Sequence, residues 1–303
     1  MFENSTYAKP FLKWAGGKTK LIPQMSQFFP KELFEGKIET YIEPFVGGGS
    51  LLFYVLQHFN IQKAYIFDLN ADLILTYQTI KFQTKALILQ LDFYKKDYLL
   101  ANIEEKKAIF EQIKKNFNQN RINFDYQQNS DLGIERAAQF IFLNKTCFNG
   151  LFRLNSKGEF NVPHGRYENP KLFDEQNLYL LANLLQKVEI RQGSYENCET
   201  FVNSKTFVYF DPPYKPISKS SSFTTYAGFE FKDEAQIKLA DFVRKISQKN
   251  CKIMLSNSDT NDDFFGKLYE NFDIQRIQAH RMINSNAEKR GKISELLIRN
   301  FVE

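Results

Sequence analysis

One tetrapeptide, Asp211-Pro212-Pro213-Tyr214, combines groups that could act on an aryl amine. It follows the apolar run 207–210, which predicts a buried strand. The two prolines hold the backbone extended, so the Pro212 carbonyl is rigidly aimed. This carbonyl and the Asp211 carboxylate could each accept one N–H of an exocyclic amine. That would turn the lone pair of the amine toward an electrophile and stabilise the positive charge that develops on nitrogen. Tyr214 supplies a ring that could stack on the substrate.

A glycine-rich turn, Gly47-Gly48-Gly49, lies between a predicted strand at 40–45 and a predicted helix at 51–58. Glycines there let the backbone turn tightly and approach a ligand closely. Asp68 ends the next predicted strand, 64–68, where doubly wound folds place an acid that accepts hydrogen bonds from ribose hydroxyls. The pattern therefore indicates an adenosine-bearing cofactor, and both a nicotinamide nucleotide and S-adenosylmethionine stay open at this point.

The order of strand, glycine turn, helix and strand predicts a βαβ unit with a parallel sheet. A helix is predicted at 19–29 before it. Between residues 77 and 142 the composition changes and predicts several helices with polar faces. Residues 149–166 predict a β-hairpin or ordered loop. Strands and helices then alternate again, with strands at 207–210, 252–256 and 294–301 and a helix at 234–249. The fold class is therefore α/β, with a sheet interrupted by a helical insertion.

Composition limits the class of protein further. No run approaches the roughly 20 apolar residues that span a bilayer, and residues 1–10 lack the apolar core of a signal peptide. Three widely spaced cysteines and three histidines argue against disulfides and against a metal site, and indicate a reducing cytoplasm. The net charge of +5 is concentrated, because residues 77–173 hold 15 Lys/Arg against 10 Asp/Glu and the remainder holds 25 of each. Such a segment is either a solvated helical surface or a contact for nucleic acid.

The motifs Trp14-Ala-Gly-Gly-Lys18, Pro44-Phe-Val-Gly-Gly-Gly49 and Asp211-Pro-Pro-Tyr214, in this order with Asp68, resemble those of the Dam family of DNA adenine methyltransferases. The resemblance runs from residue 11 to about residue 300. It is clearest in the stretches 149–153 and 158–167, and continues in 255–259 and 292–296.

The resemblance implies a Rossmann-like sheet that uses S-adenosylmethionine and carries an inserted, mainly helical DNA-recognition domain with a β-hairpin. We expect the catalytic domain at 1–76 and 174–303 and the insertion at 77–173. By family pattern, the cofactor is held by Trp14, Gly17, Lys18, Phe45, Gly47, Gly49, Asp68, Tyr195 and Asp211. Lys18 is expected near the methionyl carboxylate, Asp68 at the ribose and Tyr195 at the adenine ring. The catalytic residues would be Asp211, Pro212, Pro213 and Tyr214.

For double-stranded DNA, the resemblance assigns contacts to Lys13, Phe148, Asn149, Leu151, Arg153, Asn155, Asn161, Pro163 and Tyr167. Phe148 would be the wedge that helps to extrude the target adenine, which must leave the duplex for its N6 to react. Arg153 and Lys13 would each read a guanine. The set is similar to that of members that recognise GATC, which is the predicted target. Lys145, where many relatives carry Arg, is a candidate phosphate contact, and Lys115 is expected to be solvated.

The sequence alone leaves other functional hypotheses open. Methylation of cytosine N4 would use nearly the same chemistry, although such enzymes more often carry Ser at the position of Asp211. An RNA methyltransferase and a non-catalytic DNA-binding protein are further alternatives, whereas a dehydrogenase leaves Asp211 to Tyr214 unexplained. We expect a monomer that acts alone or beside a companion restriction endonuclease.

Overall fold

The computed structural model describes residues 7–121, 124–126, 131–216, 225–226, 229–260, 262–280 and 292–302. Part of the N-terminal stretch 1–10, predicted to carry no signal peptide, lies outside these ranges. In these ranges the α-helices are α1 Ile22–Met25, α2 Lys31–Phe34, α3 Ser50–His58, α4 Ala71–Leu100, α5 Ile103–Gln119, α6 Asp131–Thr146, α7 Glu175–Leu185, α8 Asp233–Ser247 and α9 Phe264–Leu268. The strands are β1 Thr40–Glu43, β2 Lys63–Asp68, β3 Val188–Gln192, β4 Thr206–Phe210, β5 Thr225–Tyr226, β6 Phe229–Glu230, β7 Lys252–Ser258, β8 Asp273–His280 and β9 Lys292–Arg299.

Most strands of the described ranges form one seven-stranded sheet in the order β3-β2-β1-β4-β7-β9-β8. β1 pairs in parallel with β2 and β4, and β4 pairs in parallel with β7. β9 runs antiparallel to both β7 and β8. This mostly parallel sheet confirms the α/β class predicted from the sequence. The strand order reverses at β1, which has β2 on one side and β4 on the other, and ligands of open α/β sheets bind at such switch points.

The chain divides into two compact units. One comprises Lys18–Val46, His58–Phe67 and Gly193–Glu303, and holds β1, β4 and β7 to β9. Its central strand β4 is buried at all five residues, the pattern of a parallel strand covered on both faces. The amphipathic helix α8 packs against β7 with its buried residues, which include Leu239, Val243 and Ile246.

The other unit comprises Met1–Gly17, Gly47–Gln57 and Asp68–Gln192. Its centre is the long helix α4, which packs on α6 and α7, while α5 packs on α6. α4 begins with Asn70 as its N-cap, whose side chain accepts the backbone N–H of Leu73, and it deviates from helical geometry at Gln83. The predicted domain boundary at residue 77 lies inside α4. The division at residues 77 and 173 stays a prediction.

Several local predictions differ from the structure. The helix predicted at 19–29 is the single turn α1 followed by a 3₁₀ turn at Ser26–Phe28, because the residue before Pro30 is held extended. The sequence reading also missed the strands β3 and β8 and the helix α7. The predicted hairpin at 149–166 consists of two antiparallel segments joined by isolated bridges, Cys147 to His164 and Leu154 to Phe160, and not by continuous strands. In the part of the chain that the structure describes, no helix is long and apolar enough to cross a membrane.

Candidate active site

The candidate active site lies at the carboxyl ends of β1 and β4, on either side of the switch point. β4 ends at Phe210, so Asp211 is the first residue beyond it. β1 ends at Glu43, and Phe45 follows two residues later. Because the two strands pair in parallel, their carboxyl ends lie at the same edge of the sheet. The predicted catalytic tetrapeptide therefore begins where this class of sheet places its ligands.

The carboxylate of Asp211 is paired with Lys18. The Lys18 Nζ lies 2.9 Å from Asp211 Oδ1, and the lysine side chain is only 4% exposed. Burial raises the pKa of Asp211, and the charge and hydrogen bond of Lys18 act against this rise. Lys18 therefore favours the ionised carboxylate, the form that accepts hydrogen bonds without donating one.

Tyr214 is fixed at both ends of its side chain. Lys18 Nζ lies 4.8 Å from its ring centroid, and its hydroxyl donates to Glu295 Oε2 at 2.9 Å. Burial raises the pKa of Tyr214 well above its usual value, and the charges of Asp211 and Glu295 add to this effect. The hydroxyl is thus a neutral donor at ordinary pH. Glu295 was not among the predicted site residues, although the stretch 292–296 belongs to the resemblance.

The backbone of the tetrapeptide is held by side chains from two other elements. The Pro213 carbonyl accepts a bond from Gln236 Nε2 of α8 at 3.0 Å. Asn257 of β7 donates to Gln236 Oε1 at 3.0 Å and accepts the Lys215 backbone N–H at 3.2 Å. Among the described residues, none donates a hydrogen bond to the Pro212 carbonyl. The backbone that follows Pro212 is therefore fixed by two side chains, while the Pro212 carbonyl accepts no hydrogen bond from the described residues.

Aromatic rings accompany the end of β1. Phe45 stacks on Tyr195, with ring centroids 5.6 Å apart and planes inclined by 28°. Tyr195 in turn meets Phe242 of α8 edge to face, with ring centroids 5.2 Å apart. Two residues predicted to contact the cofactor, Phe45 and Tyr195, are thus brought together.

The glycine turn and Asp68 form a second local arrangement, within the other unit. Asp68 is buried and accepts the backbone N–H groups of Gly47 at 3.2 Å and Asn70 at 2.9 Å. Burial raises the pKa of Asp68 to about 6, and these backbone bonds limit the rise. Among the described residues, none bonds to the buried amide nitrogen Nδ2 of Asn70. A buried acid and an unsatisfied donor two residues away suit a ligand with hydroxyl groups.

Trp14 packs against this turn. A Cβ on Gly47 would stand 2.7 Å from the indole, and Gly47 has φ +47°, so a side chain is excluded on both grounds. Gly49, at φ +70°, faces the Tyr77 hydroxyl, which itself donates to the Gly47 carbonyl at 3.0 Å. The Gly17 N–H bonds to the Trp14 carbonyl at 3.1 Å. The predicted cofactor residues Trp14, Gly17, Gly47, Gly49 and Asp68 are therefore grouped around one turn.

The predicted DNA-contacting residues follow α6. Phe148 begins a 3₁₀ turn, Phe148–Gly150, and is 52% exposed. Asn149 has φ +56°, and its N–H donates to the Tyr167 hydroxyl at 3.0 Å. Lys13 Nζ lies 4.8 Å from the centroid of the same Tyr167 ring. An exposed aromatic thus stands on a well-fixed loop, and Lys13 of the N-terminal segment contacts the same tyrosine that holds this loop.

The remaining predicted contacts are fixed by hydrogen bonds within the same loop region. Arg153 Nε donates to Asn161 Oδ1 at 2.8 Å. The Asn155 side chain accepts the N–H groups of Lys157 and Glu159 at 2.9 Å each. The Pro163 carbonyl accepts the N–H of Phe148 at 2.9 Å, and Leu151 follows the 3₁₀ turn as its C-cap. Among the described residues, no group of three or more His, Cys, Asp or Glu is placed to hold a metal ion.

Comparison with known proteins identifies the family. The model of the D12 class of N6 adenine-specific DNA methyltransferases matches residues 14–283. The chain belongs to this family. It is 51% identical to the type II methyltransferase M.MjaIII of Methanocaldococcus jannaschii over 294 residues, which cover 97% of this chain and 99% of that protein. It is 34% identical to the type II methyltransferase M1.LlaDCHI of Lactococcus lactis, over 99% and 98% of the two chains. It is 32% identical to the DNA adenine methylase of Escherichia coli K12, over 95% and 94%.

Family membership confirms the predicted adenine-specific DNA methyltransferase and the Rossmann-like methyltransferase sheet. It sets aside the cytosine N4, RNA and non-catalytic alternatives. The substrate of this protein is DNA, and the reaction requires a methyl donor.

Proposed function

We propose that this protein transfers the methyl group of S-adenosylmethionine to the N6 amine of an adenine that is flipped out of a GATC site in duplex DNA. One observation carries the proposal. At the switch point of the sheet, an ion-paired carboxylate stands directly before a carbonyl to which none of the described residues donates.

Asp211 and Pro212 would hold the amine. The carboxylate and the carbonyl are consecutive acceptors, and an exocyclic amine has two N–H donors. When both N–H groups donate in this way, the nitrogen lone pair is left to point toward the methyl group. The two acceptors also stabilise the positive charge that develops on the nitrogen. Lys18 supports this role, because it opposes the protonation of Asp211 that burial would otherwise favour.

Tyr214 would stack on the extruded base. Lys18 covers one face of its ring, at 4.8 Å from the centroid, and the other face is assigned to the base. The bond to Glu295 fixes the plane of the ring. Pro213 sets the distance between the acceptor pair and the ring, because Gln236 holds its carbonyl.

The cofactor would be held by two groups of residues in addition to Asp211. Trp14, Gly17, Gly47, Gly49 and Asp68 form the first group, around the glycine turn. The second group comprises Lys18, which pairs with Asp211, and Phe45 and Tyr195, which stack on each other. Asp68 retains acceptor capacity for ribose hydroxyls, and the unsatisfied Asn70 amide fits the same ligand. The positive charge of Lys18, which pairs with Asp211, suits a neighbouring methionyl carboxylate. When bound, S-adenosylmethionine supplies an electrophilic methyl group.

DNA would be read by the N-terminal segment and by the loop after α6. The proposed contacts are Lys13, Phe148, Asn149, Leu151, Arg153, Asn155, Asn161, Pro163 and Tyr167. The exposure of Phe148 suits a wedge, and the fixed guanidinium of Arg153 suits bidentate binding to guanine. GATC rests on the resemblance of this loop to that of GATC-specific members.

Sequencing the DNA of a methylation-free host that expresses this protein tests the target. Single-molecule detection of N6-methyladenine is expected to place the modification at the adenine of every GATC. Modification of another short sequence would refute the target and leave the chemistry standing, whereas N4-methylcytosine would refute the chemistry.

The Asp211→Ala variant tests the mechanism. We expect methyl transfer to fall below detection, because one of the two acceptors is lost, while S-adenosylmethionine binding measured by calorimetry stays within about tenfold of normal. The control Asp241→Ala removes an exposed carboxylate that pairs with Arg244 and is expected to remain active. Normal turnover by Asp211→Ala would refute the assignment.

A further inference from the structure

The side chain of Asn144, on the last turns of α6, bonds to backbone groups outside its own helix. Its Oδ1 accepts the backbone N–H of Lys13 at 2.9 Å, and its Nδ2 donates to the Lys13 carbonyl at 2.8 Å and to the Gly150 carbonyl at 2.9 Å. The residue is 1% exposed, so water cannot replace these bonds. One amide group thus binds two segments that lie more than 130 residues apart in the sequence.

The two segments also touch each other directly at this point. Gly150 has φ +63°, and a Cβ built on it would stand 2.6 Å from Lys13 Cβ and 2.5 Å from Lys13 Cδ. Asn144 therefore holds a close contact between the Gly150 backbone and the Lys13 side chain, which leaves no room for a side chain at position 150. The aliphatic stem of Lys13 runs along the turn that presents Phe148.

A third contact completes the arrangement. Tyr167 receives the N–H of Asn149 on its hydroxyl and the ammonium of Lys13 on its ring. The backbone of Lys13 is thus fixed by Asn144, and its side-chain end by Tyr167. Asn144 is the buried member of this arrangement, at 1% exposed, whereas Phe148 is 52% exposed.

We propose that Asn144 is a positioning residue for sequence recognition, which fixes the backbone of Lys13 against the loop 148–151 so that the base readers on both segments meet the duplex in one register. The inference rests on the proposed function, in which Lys13 and this loop contact bases. Bidentate recognition of a base edge tolerates errors of only about 0.5 Å, so a shift between the two segments would lower discrimination more than affinity.

A nearby residue on the same helix shows what a merely structural polar group looks like. Thr146, two positions later and fully buried, bonds through Oγ1 to the Phe142 carbonyl of its own helix at 2.7 Å. Its side chain fixes no second segment. Thr146→Val is therefore a matched control for the loss of a buried hydrogen bond in α6.

The test compares Asn144→Asp with this control. The carboxylate keeps the acceptor for the Lys13 N–H, but it places negative charge against the carbonyls of Lys13 and Gly150. We measure kcat/KM on oligonucleotides with the wild-type target and with each single base replaced, well below the melting temperature of each variant. Asn144→Asp is expected to lose about tenfold or more in discrimination at the base that Lys13→Ala relaxes. Thr146→Val is expected to keep the wild-type ratio, and both variants are expected to keep wild-type affinity for S-adenosylmethionine.

The double variant separates this inference from the proposed function. If Asn144 acts through Lys13, Asn144→Asp combined with Lys13→Ala loses no more discrimination than the larger single change. If Lys13→Ala leaves the base preference unchanged, Lys13 is not a reader, and the proposed contact set and the role of Asn144 both fail. If Lys13→Ala relaxes the preference and Asn144→Asp does not, the inference alone is wrong.

A second variant approaches the same contact from the loop, should Asn144→Asp not fold. Gly150→Ala leaves Asn144 intact and forces the loop and Lys13 apart at the point of closest approach. We expect discrimination to fall at the same base, with cofactor affinity unchanged. Wild-type discrimination in folded Gly150→Ala would overturn the proposed register.

Discussion

Lys145, on the last turn of α6, offers a quantitative test of how charge is distributed in this protein. Its side chain is largely buried and lines a cavity of about 720 Å³, together with Lys13, Lys171 and Arg166. Burial and the positive charges of Lys13 and Lys171 lower the pKa of Lys145 from 10.5 to about 8. The charged form is therefore disfavoured by the folded protein.

The size and the sign of the effect follow from linkage. A difference of one in pKa corresponds to about 1.4 kcal/mol, so the lowered value sets an upper bound of about 3 kcal/mol on the cost of charging Lys145 in the folded state. Below about pH 8 the lysine is protonated in both states, and the full cost is present. Between this pH and 10.5 the folded protein gives up the proton while the unfolded chain keeps it, so stability increases with pH and the cost disappears.

The perturbation is Lys145→Met, which keeps the length of the side chain and removes its charge. We expect the variant to be more stable than the wild type by about 1–3 kcal/mol at pH 7, and the difference to shrink toward zero near pH 10.5. Urea unfolding, followed by circular dichroism at both pH values, measures it. Lys115→Met, which changes an exposed lysine on α5, is the control and should alter stability little at either pH.

An equal gain at both pH values would show that packing, and not charge, is responsible, and no gain would refute the assigned environment. The same variant should bind DNA less tightly if Lys145 contacts a phosphate. The slope of log affinity against log salt should then decrease by about one.

Three further predictions concern single side chains. Because the pKa of Asp68 is raised to about 6, we expect the affinity for S-adenosylmethionine to fall from pH 7 to pH 5 as the Asp68 carboxylate is protonated. In Asp68→Asn, calorimetry should find an affinity that is lower and independent of pH. An affinity of the wild type that does not depend on pH would contradict the ribose contact. Arg153→Ala should relax discrimination at one guanine by about 1–3 kcal/mol in kcat/KM, and an unchanged preference would show that Arg153 is misassigned. Arg136→Met leaves the buried Asp72 without its ion pair, so the free energy of unfolding measured in urea should fall by about 3–5 kcal/mol. Adding Asp72→Asn should restore part of this stability. A single variant that loses less stability than the double variant would argue against the pair.

The sequence predicted the parts of the fold that rest on local patterns. β4 is a continuous apolar run ended by two prolines, and its bounds were predicted to within one residue. α3 follows glycines that cannot be replaced at their positive φ values, and its predicted start was one residue late. In each case one short stretch contains both the hydrophobic signal and the residue that ends the element.

The parts that were missed depend on distant partners. β8 reads Asp-Ile-Gln-Arg-Ile-Gln-Ala-His, a sequence too polar to predict a strand, and it is held by its antiparallel ladder with β9. The hairpin loop lacks regular strands because Asn149, Gly150, Gly158 and Arg166 take positive φ values that interrupt pairing. A repeated pattern of side chains could not reveal either feature.

The same division applies to the site. Asp211 and Tyr214 were predicted as catalytic residues because one short motif contains them both. Glu295, Gln236 and Asn144 were not predicted, since each bonds to a residue more than 20 positions away in the sequence, namely Tyr214, Pro213 and Lys13. Each of the three is a polar side chain that bonds to a residue of the proposed site or of the proposed DNA contacts, and no local sequence pattern indicates that bond.

It follows that the two kinds of residue should respond differently to substitution. A group proposed to touch the reacting atoms, such as Asp211, should control the rate, because its loss would remove an interaction that is strongest in the transition state. A group that fixes another, such as Asn144, controls how well a reader is aimed, so its loss alters the ratio of rates on correct and incorrect DNA more than either rate. The proposed chemistry of this enzyme therefore rests on a few contiguous residues. We expect its selectivity to depend on polar contacts between distant segments, so that exchanging the loop 148–167 without the Lys13 segment that Asn144 binds should not transfer the specificity.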